Sequence, residues 1–390
     1  MNSKQYFIEL VSAYINDRSP VFSENFNIDW NEIMYFTKIH SVQVPVFMSV
    51  DKLERKPAIY NELKNQFLLA VNISAKQEYW MEKVIKGLTD NDIDHILFKG
   101  YVLRNYYPNK EARSFGDIDF LIKEEDRRKS DNVLRNLGFE YDDDEYCKEV
   151  WTYHKDVLSL EVHTDIIYEK LFSDVDYIGY FRKKLINKVL ISQNTYELKA
   201  EDHFVYLMVH LAKHFYNYGV GIRMIMDIAV MKKYFGNNLD YEYINKELKA
   251  LGLGKFANTV FYMCNKYLDS RFDGIYDVSY IEAIMDYVIM HGVFGFDNKE
   301  GYVVKFEEKK GKNILSNVFR ELFPDYETMN KYYKWFTGLP KYMLLYGWIR
   351  RIIEFSFNRN KNINRRIAGI CKDNSQINTH KDILKSIGLR

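Results

Sequence analysis

Two aspartates spaced by one residue, Asp117 and Asp119, open the apolar run that ends at Ile122. On a strand, residues i and i+2 point to the same face, so the two carboxylates converge. Upstream, a second apolar run, Ile93 to Phe98, ends in Lys99-Gly100. Convergent carboxylates beside a glycine turn suit a divalent cation and a phosphorylated substrate. A third carboxylate, Glu161, lies in Ser-Leu-Glu-Val-His-Thr-Asp, on a strand-like run whose face it shares with His163 and Asp165. If this run lies beside the Asp117–Asp119 strand, three carboxylates can surround Mg²⁺ or Mn²⁺, with two ions expected. Such ions would bind phosphates, stabilise a leaving pyrophosphate and lower the pKa of an attacking hydroxyl. Glu161 would then be the general base or its metal-bound orienter. An isolated Asp-x-Asp is commonly structural. It is the company of Lys99-Gly100 and Glu161 that gives this one chemical meaning.

These residues need strands and turns to hold them. Ile93 to Phe98 and Asp117 to Ile122 read as strands, with a short helix from Val102 to Tyr107 between them, ended by Pro108. Glu124 to Leu137 is amphipathic and closes at Gly138. Glu149 to His154 and Val157 to Ile166 read as a hairpin turning at Lys155-Asp156. The acidic stretch Asp142, Asp143, Asp144 and Glu145 reads as a solvated turn before it. Residues 1–90 are helical by spacing, including a long helix from Pro57 to Leu88, with the proline in its first turn. From about residue 200 helices return: Asp202 to Tyr218, Met224 to Tyr234, Tyr241 to Leu251, Lys255 to Leu268 and Ser279 to Met290. Residues 295–315 are polar and read as a loop or small hairpin. The expected organisation is a helical region 1–90, a core 91–200, a helical domain 201–292 and a C-terminal extension 293–390.

Bulk properties exclude several classes. With 390 residues and a formal net charge of +1, the chain can bury a large core and has no overall bias toward nucleic acid. The three cysteines, Cys147, Cys264 and Cys371, are far apart, which argues against a disulfide framework or a cysteine zinc site. The N-terminus lacks the apolar core of a signal peptide, and no apolar run is long enough to span a bilayer. A reducing cytoplasm is the expected compartment. The last fifty residues differ: eleven Lys or Arg stand against three Asp or Glu between Lys341 and Arg390. Trp348, Ile349, Ile352 and Ile353 among Arg350, Arg351 and Arg359 resemble a basic amphipathic helix. The simpler expectation is that its apolar stripe docks on the body; contact with RNA or a membrane is the alternative.

Phe98-Lys99-Gly100, then Arg113, Gly116, Asp117 and Asp119, then Leu160-Glu161-Val162-His163, resemble the polymerase-β-type nucleotidyltransferase superfamily. More narrowly, they resemble its bacterial uncharacterised nucleotidyltransferase family. Softer likenesses extend over most of the chain. They include Trp30 with the following Ile-His-Ser-Val-Gln-Val-Pro, then His210, His214, Arg223 and Asp227. They continue from Leu322-Phe323-Pro324 to Leu339-Pro340 and Trp348-Ile349-Arg350-Arg351. The resemblance implies an α+β fold: a small mixed sheet with metal carboxylates on neighbouring strands, flanked by N- and C-terminal helices. It also implies NMP transfer from an NTP to an acceptor hydroxyl. Where the superfamily usually has Gly-Ser or Gly-Gly, Tyr101 follows Gly100, so the small hydroxyl that helps hold the triphosphate is replaced by a bulky phenol. Lys99, the amides after Gly100, Arg113 and Gly116 are the expected phosphate-binding group. Lys99 also reads as a surface charge, and Arg113 as a structural partner of Asp117 or Asp119.

His210 and His214 share a helix face at i, i+4. Their His-Leu-Ala-Lys-His lacks the glutamate of a zinc protease, and a zinc site would need Asp227 as third ligand. Lining the acceptor side of a cleft with Asp227, or packing within the helical layer, are the alternatives. His163 is expected to orient Glu161 or the acceptor. Trp151 and Tyr153 can stack on a base but read better as core. Three functions follow: a metal-dependent nucleotidyltransferase acting on a small molecule, sugar, peptide or protein; a toxin-like enzyme extending RNA; or a non-catalytic scaffold. The scaffold predicts loss of at least one carboxylate, and all three are present.

Overall fold

The computed structural model describes residues 1–23, 25–142, 150–168, 170–217, 219–292, 323–333, 335–356 and 374–390. Asp143, Asp144 and Glu145 of the acidic turn, Glu149, the loop expected at 295–315, Cys147, Cys371, Leu322 and Arg359 lie outside the described residues. The fold is α+β. Helices α1 (Ser3–Ile15), α2 (Trp30–Ile39), α3 (Gln43–Asp51) and α4 (Tyr60–Asp90) lead into a mixed sheet. Its strands are β1 (His95–Leu97), β2 (Ile118–Ile122), β3 (Glu140–Tyr141), β4 (Val150–Lys155), β5 (Leu158–His163), β6 (Val189–Ser192) and β7 (Thr195–Glu197). They lie in the order β3-β4-β5-β2-β1-β7-β6. Short α5 (Gly100–Leu103) follows β1, α6 (Arg127–Asn136) follows β2, and α7 (Tyr177–Lys184) follows β5. Then come α8 (Ala200–Asn217), α9 (Ile222–Phe235), α10 (Tyr241–Ala250), α11 (Gly254–Leu268) and α12 (Ile281–His291).

Alternation on the strands sorts side chains between two cores. Ile118, Phe120 and Ile122 of β2, with Leu158, Leu160 and Val162 of β5, face Met81, Val84 and Leu88 of α4 and Val133 and Leu134 of α6. The opposite face carries Ile96, Phe98 and Leu121, which join the apolar side chains of α8 to α12. Helices α1 to α3 contribute to that same second core, so the first and third helical regions share one interior. α4 buries Leu63 in the second core and Met81, Val84 and Leu88 in the first. It is therefore the strut between them. Trp151 and Tyr153 belong to the first core, not to a base-stacking surface.

Local chemistry explains the boundaries. Gly138, at φ +80°, ends α6, and the Phe139 amide returns to the Leu134 carbonyl at 3.0 Å. This left-handed cap is one that a glycine adopts without strain. The hairpin β4–β5 pairs Lys155 with Leu158 and turns on Asp156 at φ +52°. Three expectations need correction. α4 starts at Tyr60, and Pro57 lies in the preceding turn, where its carbonyl accepts the Tyr60 amide at 2.9 Å. β5 stops at His163; beyond it, Asp165 pairs with Arg182 at 2.6 Å and leaves the Glu161 face. In the helix Leu344–Ser356, Gly347 meets Met329 and Phe336, while Leu345, Ile349 and Ile353 are exposed. Among the described residues the apolar stripe is docked only in part, through Trp348, which packs on Phe323 and donates to the Pro324 carbonyl at 2.8 Å. α7 and the β6–β7 hairpin were not anticipated from the sequence. No helix among the described residues is long and apolar enough to cross a membrane.

Candidate active site

β2 and β5 are adjacent and parallel, in a register that pairs Asp119 with Glu161. Parallel neighbours in register present their side chains to the same face, one strand spacing apart. That face is the one turned toward α8. Asp117 precedes β2 by one residue, lies at the solvent edge, and shares a hydrogen bond with Glu161. The three carboxylates expected from the sequence are thus brought together.

Basic groups hold them. Lys99 donates its ammonium to Asp119. His163 Nε2 bonds Asp119 Oδ1 at 2.9 Å and lies 3.3 Å from Glu161 Oε2. Against the upward push of burial, Lys99 and His163 keep the Asp119 carboxyl well below its ordinary range. Asp117 moves the other way, to about 6, through burial and then repulsion from Asp119 and Glu161. Ligand atoms of Asp119, Glu161 and His163 lie within 4.8 Å of one another. Carboxylate oxygens in excess over one ammonium are a donor set that fits a hard divalent ion. His163 already donates from Nε2, which makes it a partner of the carboxylates.

The Lys99-Gly100 turn is anchored from α8. Lys99 has φ +53°, an uncommon backbone for a residue with a side chain, and its amide donates to His203 Nε2 at 3.2 Å. Burial lowers His203 to about 4, so it is a neutral acceptor near pH 7. The face of α8 continues with Tyr206, His210 and His214: Tyr206 stacks on His210 with centroids 5.8 Å apart, and His210 meets His214 at 4.5 Å. Burial first lowers both imidazoles; His214 and then Lys99 lower His210 further, and Lys213 and then Lys99 bring His214 to about 3. His210 and His214 are half-buried. Reading from the sequence missed His203 and Tyr206, although His203, Tyr206, His210 and His214 recur at three- and four-residue spacing.

Two residues go elsewhere. Arg113 pairs with neither Asp117 nor Asp119. Its Nε and Nη2 grip Asp227 at 2.6 and 2.9 Å, and Tyr107 donates to the same carboxylate at 2.7 Å. Asp227 is 3% exposed and fully engaged, so it lines no open pocket and joins no zinc site with the histidines. Gly100 packs closely: a Cβ there would lie 3.4 Å from Arg113 Nη1. Gly116 is exposed, and a Cβ there would meet nothing within 4 Å, so no close approach requires that glycine.

The profile of a family described as "Uncharacterised nucleotidyltransferase" matches residues 27–269. The chain belongs to that family. It is a nucleotidyltransferase, and the paired carboxylates lie inside the matched region. A solved structure of the antibiotic-resistance factor ANT(2'')-Ia is similar over 45% of this chain and 93% of its own. It shares 12% identity at a TM-score of 0.34, too distant to carry residue assignments. No curated protein matches the sequence.

Proposed function

We propose that this nucleotidyltransferase moves the NMP unit of an NTP onto an acceptor hydroxyl, assisted by Mg²⁺ or Mn²⁺ held by Asp117, Asp119 and Glu161. The observation that carries this reading is the in-register pair Asp119–Glu161, with Asp117 hydrogen-bonded to Glu161. When bound, the cations would neutralise the phosphates and polarise the α-phosphorus. The residues do the rest. The acceptor oxygen forms a bond to the α-phosphorus as the bond to the bridging oxygen breaks, and pyrophosphate departs with that electron pair. Glu161 takes the acceptor proton. Lys99 and His163 fix Asp119, so its oxygens need not reorganise during the step. Residues 91–200 form the catalytic unit in this reading. His210 and His214, kept neutral, face the acceptor.

Incubation with each labelled NTP and Mg²⁺ or Mn²⁺, beside cell metabolites, peptides or total RNA, tests the proposal and reveals the acceptor class. Label is expected to move to one fraction. Asp119→Asn should lower the rate by roughly a thousandfold or more, and Glu161→Gln by about a hundredfold, with nucleotide binding retained. Transfer that survives Asp119→Asn would sink the proposal.

A further inference from the structure

Arg223, at the start of α9, is a guanidinium that makes no ion pair among the described residues. Its Nη1 donates to the Ser114 carbonyl at 3.0 Å and to the Ser114 hydroxyl at 3.0 Å, both neutral acceptors. Its Nε is buried and has no hydrogen-bond partner. Among the described residues, no carboxylate forms an ion pair with it. The neighbouring Arg113 donates to the same Ser114 carbonyl at 2.6 Å, so the two guanidiniums lie side by side. Asp227 engages Arg113 with both oxygens, so among the described residues Arg223 is left outside that ion pair.

A poorly solvated charge without a partner is costly unless an anion supplies the balance. Burial, followed by repulsion from Arg113, pulls Arg223 down to about 10, against the weaker upward pull of Asp227, Tyr107 and Asp117. His214 also registers excess positive charge: after burial, Lys213, Lys99 and Arg223 lower it. Ser114 lies three residues before Asp117, and Gly100 faces Arg113, so this charge stands at the edge of the carboxylate cluster. Lys99 is committed to Asp119 and Arg113 to Asp227. Neither cation expected from the sequence is left to grip a triphosphate.

We propose that Arg223 is the polyphosphate receptor of the site and binds the β- and γ-phosphates of the incoming NTP through its unmatched guanidinium. The inference rests on the nucleotidyltransferase reading and names a residue within it. Nη1 donates to Ser114 and Nε is buried, so Nη2 is the edge of the guanidinium that would meet a phosphate oxygen, in a charge-assisted hydrogen bond.

The probe is inorganic tripolyphosphate, which is independent of the base, titrated calorimetrically without metal into wild type, R223Q and R223K. Wild type should bind it. R223Q should bind at least about 10-fold more weakly and R223K to an intermediate degree, because lysine keeps the charge without the planar guanidinium. Mn²⁺ binding without nucleotide should be equal in all three, whereas a variant that merely loosened the Ser114–Asp117 loop would weaken it. If R223Q does not melt cooperatively, the comparison of R223K with wild type decides the question, since R223K keeps the charge and a donor for Ser114. Equal tripolyphosphate affinity in the variants, no binding by wild type, or Mn²⁺ affinity falling in step would overturn the assignment. Transfer assays separate the two readings. Normal transfer by R223K at an unchanged KM for NTP removes Arg223 and leaves the reaction standing. Arg223-dependent tripolyphosphate binding without transfer of any NTP leaves the anion site and removes the reaction.

Discussion

Lys99 carries more of the site than its position in the sequence suggests. Its ammonium supplies the positive charge against Asp119, while its backbone is held at φ +53° by the bond to His203. Lys99→Met should leave Asp119 with His163 alone and destabilise the metal-free protein by about 3 kcal/mol, as expected when one partner of a buried pair is removed. Mn²⁺ should then raise the Tm of the variant more than that of wild type, because the ion restores the lost charge. Equal shifts in thermal melts would show that Lys99 is not the counter-charge. At this scale the sequence was informative about Asp117, Asp119 and Glu161, because period-two spacing on short strands fixes which residues share a face. It was less informative about Lys99 and Arg113. The partner of a long cation depends on which distant carboxylate the fold brings near, and Asp227 is far from Arg113 in the chain.

Among the elements, α8 forms the wall opposite the carboxylates, and α9 depends on a histidine from the N-terminal helices for its start. His40 Nε2–H donates to the Ile289 carbonyl at 2.9 Å, and Nδ1 accepts the Ile222 amide at 3.2 Å. One neutral imidazole therefore joins α2, α9 and α12. Burial lowers it to about 4 from an ordinary 6.5. The folded state keeps His40 neutral, whereas the unfolded chain takes up a proton below pH 6.5. Its contribution is therefore fully present above that pH and is lost as pH falls toward 4. The loss approaches about 1.4 kcal/mol per pH unit, and about 3 kcal/mol in all. Urea denaturation between pH 7 and 4.5 should show this slope. In His40→Gln, whose amide can offer one donor and one acceptor, the slope should be shallower at a small cost in stability near pH 7. An unchanged slope would assign the acid sensitivity to the other buried histidines.

Across the whole molecule, the site lies between two bodies of side chains, and the Arg113–Asp227 pair ties them together. Arg113 belongs to the loop before β2, and Asp227 belongs to α9 in the helical layer. Asp227→Asn should cost about 3–5 kcal/mol, because Arg113 is left buried without its charge partner. The double variant R113M/D227L should cost less than the sum of its single variants, since each single leaves an orphan that the double does not. Equilibrium unfolding of the four proteins measures this coupling, and simple additivity would argue against the clasp.

By itself the sequence determined the order of most helices and strands and which carboxylates share a strand face. Those features follow from local periodicity and from side-chain alternation along single strands. Tertiary structure alone decided that Asp119 and Glu161 lie in register, that Asp165 turns away to Arg182, and that Asp227 silences Arg113 and leaves Arg223 unmatched. The physical reason is that charge pairing is set by distance in space. The chain must fold before a cation can be told from one already neutralised.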